Sequence, residues 1–198
     1  MNIERDQISE DILKSIVFGL TGKNASGKGT VAEILKKKNF TYHSLSDSLR
    51  DELKSLRKEE TRENLIDIGN ELREKGGPGV LADKLMPKLN SENNHIVDSI
   101  RNPLEVISLR KETLLRRFFL ISVDANSRLR YDRLCSRGRI GDTDSWEKFI
   151  EQEKKEENND DPNKQQLSRT MEMADYSIDN SGTLEELEAQ VNRIISSL

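Results

Sequence analysis

The sequence predicts an α/β fold, a five-stranded parallel sheet with helices on both faces, and three observations carry that expectation. Short apolar runs alternate with longer stretches of helical spacing along the whole chain. The first run, IVFGL at Ile16–Leu20, leads straight into the glycine-rich GKNASGKGT, and a helical pattern opens directly behind it. The chain has 198 residues, enough for one domain with a proper core, and its 33% apolar against 34% charged content suits a compact sheet wrapped by long solvated helices.

Taken in order, residues 1–14 are polar, a loose arm or short helix. Ile16–Leu20 is a buried strand by its continuous apolar character. Gly27–Lys38 is helical, with Val31, Ala32, Ile34 and Leu35 toward the sheet and Lys36–Lys38 near its negative end. Phe40–Leu45 is the second strand, after which Ser46 or Asp47 caps a helix through Leu49, Leu53 and Leu56. The helical pattern from Thr61 to Leu89 breaks at Gly76-Gly77-Pro78-Gly79, a turn between two helices. His95–Asp98 is the third strand, Pro103–Lys111 a helix opened by proline, Arg117–Asp124 the fourth strand and Ser127–Arg137 the next helix. After a polar loop at 138–144, Ser145–Glu157 is a highly charged helix with Trp146, Phe149 and Ile150 on its apolar side. Lys164–Ala174 is helical again, Tyr176–Ile178 is the fifth strand, and Thr183–Leu198 closes the chain as a helix.

Composition excludes several classes. A net charge of −4 argues against general affinity for nucleic acid or anionic membrane, so any phosphate site is a local basic cluster on an acidic body. The single Cys135 leaves no internal disulfide and fits a reducing compartment. Nothing approaches membrane-spanning length and the polar N-terminus is no secretory signal, so the expectation is a cytoplasmic protein. His43, His95 and one cysteine make no zinc set.

The spacing Gly22, four residues, Gly27, Lys28 fits a phosphate-binding loop. Backbone N–H groups and the positive end of the following helix bind polyphosphate, with Gly22, Gly27 and Gly29 allowing positive φ and close approach. Lys28 then reaches the β- and γ-phosphates. Ligands of a doubly wound sheet sit beyond the C-terminal ends of the strands. The polar residues there are Ser46, Asp47 and Arg50 after strand two, Asp98 and Arg101 after strand three, and Arg133, Arg137 and Arg139 after strand four. A basic set converging on such a loop is what phosphoryl transfer needs, because its transition state spreads negative charge over several oxygens.

With these residues in view, the chain resembles the P-loop nucleoside monophosphate kinases, the adenylate-kinase-like group of P-loop NTPases. The resemblance runs through GKNASGKGT, HSLSDSLR, VDSIR and DRLCSR, and covers nearly everything from Ile16 on. A closer likeness, carried by TRENLIDIGNELREKGGPGVLAD, VDSIRNPLEV and RGR with the acidic segment behind it, is to a group of archaeal and bacterial nucleotide kinases. The resemblance implies a single P-loop kinase domain with a core of about 14–45, 91–137 and 174–198, acceptor-binding helices at about 46–90, and a lid at about 138–173. It implies ATP and Mg²⁺ as cofactors and a nucleotide as the small-molecule substrate, in a monomer or homodimer with no nucleic-acid or membrane partner. Residue by residue, Gly22, Lys23, Asn24, Ala25, Ser26, Gly27, Lys28, Gly29 and Thr30 would hold ATP, with Arg133, Arg137 and Arg139 closing from the lid. Thr30 and Asp98 would hold Mg²⁺. Asp47, Arg50, Arg73 and Arg101 would contact the acceptor, and Lys28, Asp98, Arg101 and Arg137 would carry catalysis. Arg116, Arg117, Arg128 and Arg130 read as solvated surface.

Two departures from the pattern stand out. Gly29 takes the place where most P-loop enzymes have the metal-binding Ser or Thr, and the acidic lid segment offers Lys154 and Lys155 where related lids often carry arginine. The expected reaction is ATP-dependent phosphorylation of a nucleoside or deoxynucleoside monophosphate. The alternatives are a dephospho-CoA kinase, which ADYSIDNSGTLEEL resembles and in which Asp47 would be the base, and a non-catalytic nucleotide-sensing module.

Overall fold

A computed structural model of the chain describes residues 15–90, 92–112, 117–138, 145–157 and 159–198. The arm at 1–14, Arg116, Arg139 and the rest of the loop at 139–144 lie outside the described residues. Five strands, β1 (Ile16–Thr21), β2 (Phe40–Ser44), β3 (Asn94–Asp98), β4 (Arg117–Asp124) and β5 (Tyr176–Asp179), form one sheet in the order β2-β3-β1-β4-β5. Every neighbouring pair is parallel. β1 lies in the middle and is buried along almost its whole length, which accounts for its unbroken apolar run.

Nine helices connect and cover the described part of the sheet: α1 (Lys28–Lys36), α2 (Leu45–Ser55), α3 (Arg62–Gly76), α4 (Val80–Leu85), α5 (Pro103–Glu112), α6 (Ser127–Arg137), α7 (Trp146–Glu157), α8 (Leu167–Glu172) and α9 (Leu184–Ser196). Two cores follow from helices on both faces. On one face Phe18, Leu20, Ile96, Ile121 and Val123 meet Val31 and Leu35 of α1 and Leu187 and Val191 of α9. On the other, Val17, Val97 and Leu120 meet Leu45, Leu49 and Leu53 of α2, Ile68 of α3, Leu81 of α4 and Val106 and Leu109 of α5.

The elements agree with the sequence pattern, with corrections at their ends. The cap of α2 is Ser44, two residues before the earlier of the two expected caps, its hydroxyl accepting from the Ser46 N–H. The helix expected over Lys164–Ala174 is confined to Leu167–Glu172, because Gln166 and Asn102 hold the preceding turn: Gln166 Nε2 donates to the Asn159 carbonyl and Asn102 Nδ2 to the carbonyls of Pro162 and Lys164. The break at Gly76–Gly79 is a turn between α3 and α4, with Gly77 at φ 88°. The last helix starts behind Thr183, which forms a reciprocal capping box with Glu186.

Candidate active site

β1 ends at Thr21, and the chain turns through Gly22–Gly27 into α1. Gly22 and Gly27 have φ of 141° and 100°, and a side chain at either would collide with the Val123 carbonyl or the Asn180 amide. Gly29 is different from the expectation: it lies inside α1 with ordinary helical φ, and the third left-handed residue of the loop is Ala25, at φ 57°. No side chain caps α1 at Gly27, so its leading N–H groups and dipole face the cleft.

Two long-range contacts hold the loop against the ends of other strands. Asn180, just beyond β5, donates from Nδ2 to the Ser26 carbonyl at 2.8 Å. Thr21 Oγ1 donates to the Ile100 carbonyl at 2.9 Å, which fixes the turn after β3 beside the loop. Adjacency of β1 and β3 thus places Gly27–Thr30 next to Asp98–Arg101.

Lys28 folds back over the loop, its ammonium donating to the Gly22 and Lys23 carbonyls at 2.6 and 2.9 Å. Burial lowers its pKa from 10.5 to about 8; Arg101 adds to the shift, while Asp98 and Glu156 oppose it. The ammonium is therefore short of negative charge. Asp98 accepts from the Tyr42 hydroxyl at 3.0 Å and from the Ser99 N–H, in a residue pair where Ser99 itself is left-handed at φ 67°. Burial and the Asp98 carboxylate together push the Tyr42 phenol upward.

These residues line one cleft of about 990 Å³. At the loop end it is bordered by Asn24–Thr30, Arg133 and Arg137. Arg133 Nη2 donates to the Asn180 carbonyl at 2.9 Å, while its buried Nη1 has no hydrogen-bond partner among the described residues. Arg137 Nη2 donates to Asn24 Oδ1 at 3.0 Å, so both arginines of α6 face the loop as their four-residue spacing requires. Arg101, beside Lys28, joins this end to the far wall, which is made by Arg50, Arg62 and Arg73 together with Leu49, Leu65, Ile66 and Leu81.

Every arginine of that far end holds a carboxylate. Arg50 pairs with Asp47 and Glu60 at the solvent rim. Arg73 is 2% exposed and pairs with the fully buried Glu105 at 2.8 Å, its Nη1 having no partner among the described residues. Arg101 shares Glu156 of α7 with Arg62. Asp47 itself is exposed and lies outside the cleft wall, and Lys23 turns outward to Glu157.

Arg130 is not solvated surface. It is 2% exposed, pairs with Glu153 of α7, and donates from Nε to the Ala125 carbonyl at 2.8 Å. The guanidinium lies over the Phe149 ring, so α7 supplies both the counter-ion and the cover for this side chain. Arg117 is half-buried and donates to the C-terminal Leu198, whereas Arg128 is exposed and stacks on Tyr131 and Trp146. Sequence reasoning passed over Tyr42, Arg62, Glu156 and Asn180; of these only Asn180, in the turn NSG behind the fifth strand, had a positional signal.

Among the described residues no group of three or more His, Cys, Asp or Glu side chains could hold a metal, and no helix is long and apolar enough to cross a membrane. The two histidines bond each other, His43 Nε2 to His95 Nδ1 at 3.0 Å, away from the cleft.

Comparison with known proteins bears on the family and the fold. The family model described as an AAA domain matches residues 19–161. A UPF0200 protein of Pyrococcus furiosus is 31% identical over 187 residues, covering 92% of this chain and 97% of its own. Shikimate kinase from Bacteroides thetaiotaomicron superposes with a TM-score of 0.56 at 14% identity, over 92% of this chain and 99% of that one. A gluconokinase from Sinorhizobium meliloti does so with a TM-score of 0.53 at 16% identity, over 92% and 94%. Both share the fold. With a family model matched over residues 19–161 and a relative 31% identical over nearly its whole length, the chain belongs to this AAA-domain family, together with the UPF0200 proteins.

Proposed function

We propose that the protein transfers the terminal phosphoryl group of ATP to a nucleoside monophosphate. The observation that carries this reading is the single cleft joining the phosphate loop to a second, arginine-rich end with an apolar wall. One end suits a polyphosphate, the other a phosphate attached to a flat apolar body.

The residues present fit the donor. Gly22 and Gly27 supply the positive-φ turn, and among the described residues the Lys28 ammonium bonds only carbonyls and Arg133 Nη1 has no partner. ATP would lie with its β- and γ-phosphates on the Gly27–Thr30 N–H groups, Lys28 and Arg137. Mg²⁺ takes most of its ligands from phosphates and water in such sites, so one or two side chains suffice, and Thr30 and Asp98 border the right part of the cleft. Held there, the ion would supply positive charge against the phosphates. Arg101 and Lys28 would draw the two phosphates together, and α7 would keep water from the reacting group as part of the lid. A phosphate acceptor is already anionic and needs no strong base, which agrees with the exposed position of Asp47.

ADP release from Mg·ATP, measured across ribo- and deoxyribonucleoside monophosphates and dephospho-CoA, tests the reading. Turnover with a monophosphate is the expected result. Turnover with dephospho-CoA alone would transfer the assignment to a hydroxyl acceptor, and nucleotide binding without turnover on any acceptor would make the domain a sensor.

A further inference from the structure

Helix α7 turns three carboxylates toward basic partners: Glu153 to Arg130, Glu157 to Lys23 and Glu156 to the pair Arg62 and Arg101. Glu156 differs from the other two because it lies in the wall of the cleft itself while being only 5% exposed. Its two oxygens are divided between two guanidiniums from different elements. Oε1 accepts from Arg62 Nε at 3.1 Å and also from Nη2; Oε2 accepts from Arg101 Nη1 at 2.9 Å. Burial pushes this carboxyl up, and Arg101 and Arg62 outweigh it, so the group stays ionised.

Two arginine forks converging on the oxygens of one anion is the arrangement by which proteins hold phosphate. Arg101 stands beside Lys28 at the end of β3, close enough to depress its pKa, and Arg62 opens α3 next to Leu65 and Ile66. We propose that Glu156 is an internal anion seated where the acceptor's phosphate binds, and that the acceptor enters by exchanging with it on Arg62 and Arg101. The proposal rests on the kinase reading above and adds a selectivity device to it.

The exchange favours one class of anion. A free phosphate gains two guanidiniums but must eject a carboxylate already paired with both, so little net affinity remains. A phosphate carrying a nucleoside makes the same exchange and also buries its base against Leu49, Leu65, Ile66 and Leu81. Glu156 thereby keeps the seat from inorganic phosphate. It also links occupancy to the position of α7, because the acceptor removes the tie between that helix and two other elements.

Calorimetric titration of wild type and Glu156→Gln with inorganic phosphate, AMP, CMP, GMP and UMP tests this. The variant should bind inorganic phosphate about tenfold more tightly, with a smaller gain for the monophosphates, so that their preference over phosphate narrows. The double variant Glu156→Gln/Arg101→Gln should lose that gain. If Glu156 were only a structural tie between α7, α3 and the β3 turn, the variant would bind phosphate equally or less tightly, and that result overturns the proposal. Retention of the gain without Arg101 overturns it as well. Should the glutamine variant fail to fold, Glu156→Asp, which keeps the charge on a shorter stem, must show partial tightening; none overturns the proposal. Binding of Mg·ATP to wild type, with turnover on any monophosphate, scores the kinase reading separately.

Discussion

The two ends of the cleft solve the problem of holding cations in opposite ways. At the loop end Lys28 rests on two backbone carbonyls and Arg133 on a third, and no carboxylate compensates Lys28 fully enough to keep its pKa at the ordinary value. At the far end every arginine already has a carboxylate: Glu105 for Arg73, Glu156 for Arg62 and Arg101, Asp47 and Glu60 for Arg50. The difference teaches that positive charge alone does not define a phosphate site. The loop end is built of local backbone geometry and stands ready for an anion. The far end is built of side chains from separate elements, which stay ordered without ligand only because carboxylates hold them.

Breaking the far end should cost most in stability. Glu105→Gln leaves Arg73 buried and unpaired, and unfolding free energy should fall by about 3–5 kcal/mol in chemical denaturation; replacing both partners with well-packed apolar residues should recover most of it. A variant that melts like wild type would show the pair to be dispensable. Breaking the loop end should instead leave the fold standing: Lys28→Ala should keep its circular dichroism spectrum and lose about 10²–10³-fold in turnover. Undiminished turnover would remove Lys28 from the site.

Asn180→Ala tests the support of the loop rather than its chemistry. The Ser26 carbonyl loses its buried donor, so stability should drop by about 1–3 kcal/mol and ATP affinity should fall with it. The depressed Lys28 sharpens the comparison through pH. Because the cation binds phosphate, Mg·ATP affinity should be constant below pH 8 and should decline as pH rises through about 8, by up to about tenfold per unit, with proton uptake on binding visible in buffers of different ionisation enthalpy. A flat profile to pH 9 would mean that Lys28 keeps its proton. The smallest effect belongs to the solvent rim, where Arg50→Ala should change stability by less than about 1 kcal/mol while raising the KM for the acceptor.

The contrast between the two ends also explains what could be read from the chain. The phosphate loop, Lys28, the paired arginines of α6 and the strand-end position of Asp98 are all encoded in short stretches with fixed spacing, and each faces the cleft. Arg130 misled because a charged side chain reads as solvated by default, although it lies on the same face of the helix as Leu134 and Arg137, and only the packing of α7 supplies Glu153 and Phe149 beside it. Glu156 and Arg62 lie 94 residues apart, inside charged helices that look like solvent-facing surface, so no local pattern distinguishes them. Gly29 misled for a simpler reason: the left-handed turn falls on Ala25, one residue type that composition does not flag.

By itself the sequence determined the alternation of strands and helices and the anion-ready turn at the head of α1, because periodicity and glycine conformation act over a few residues. Tertiary structure alone decided which charges pair across elements. Pairs such as Arg101–Glu156 and Arg130–Glu153 depend on the distance between side chains from different elements, and that distance exists only once α7 has packed beside α6 and the turn after β3.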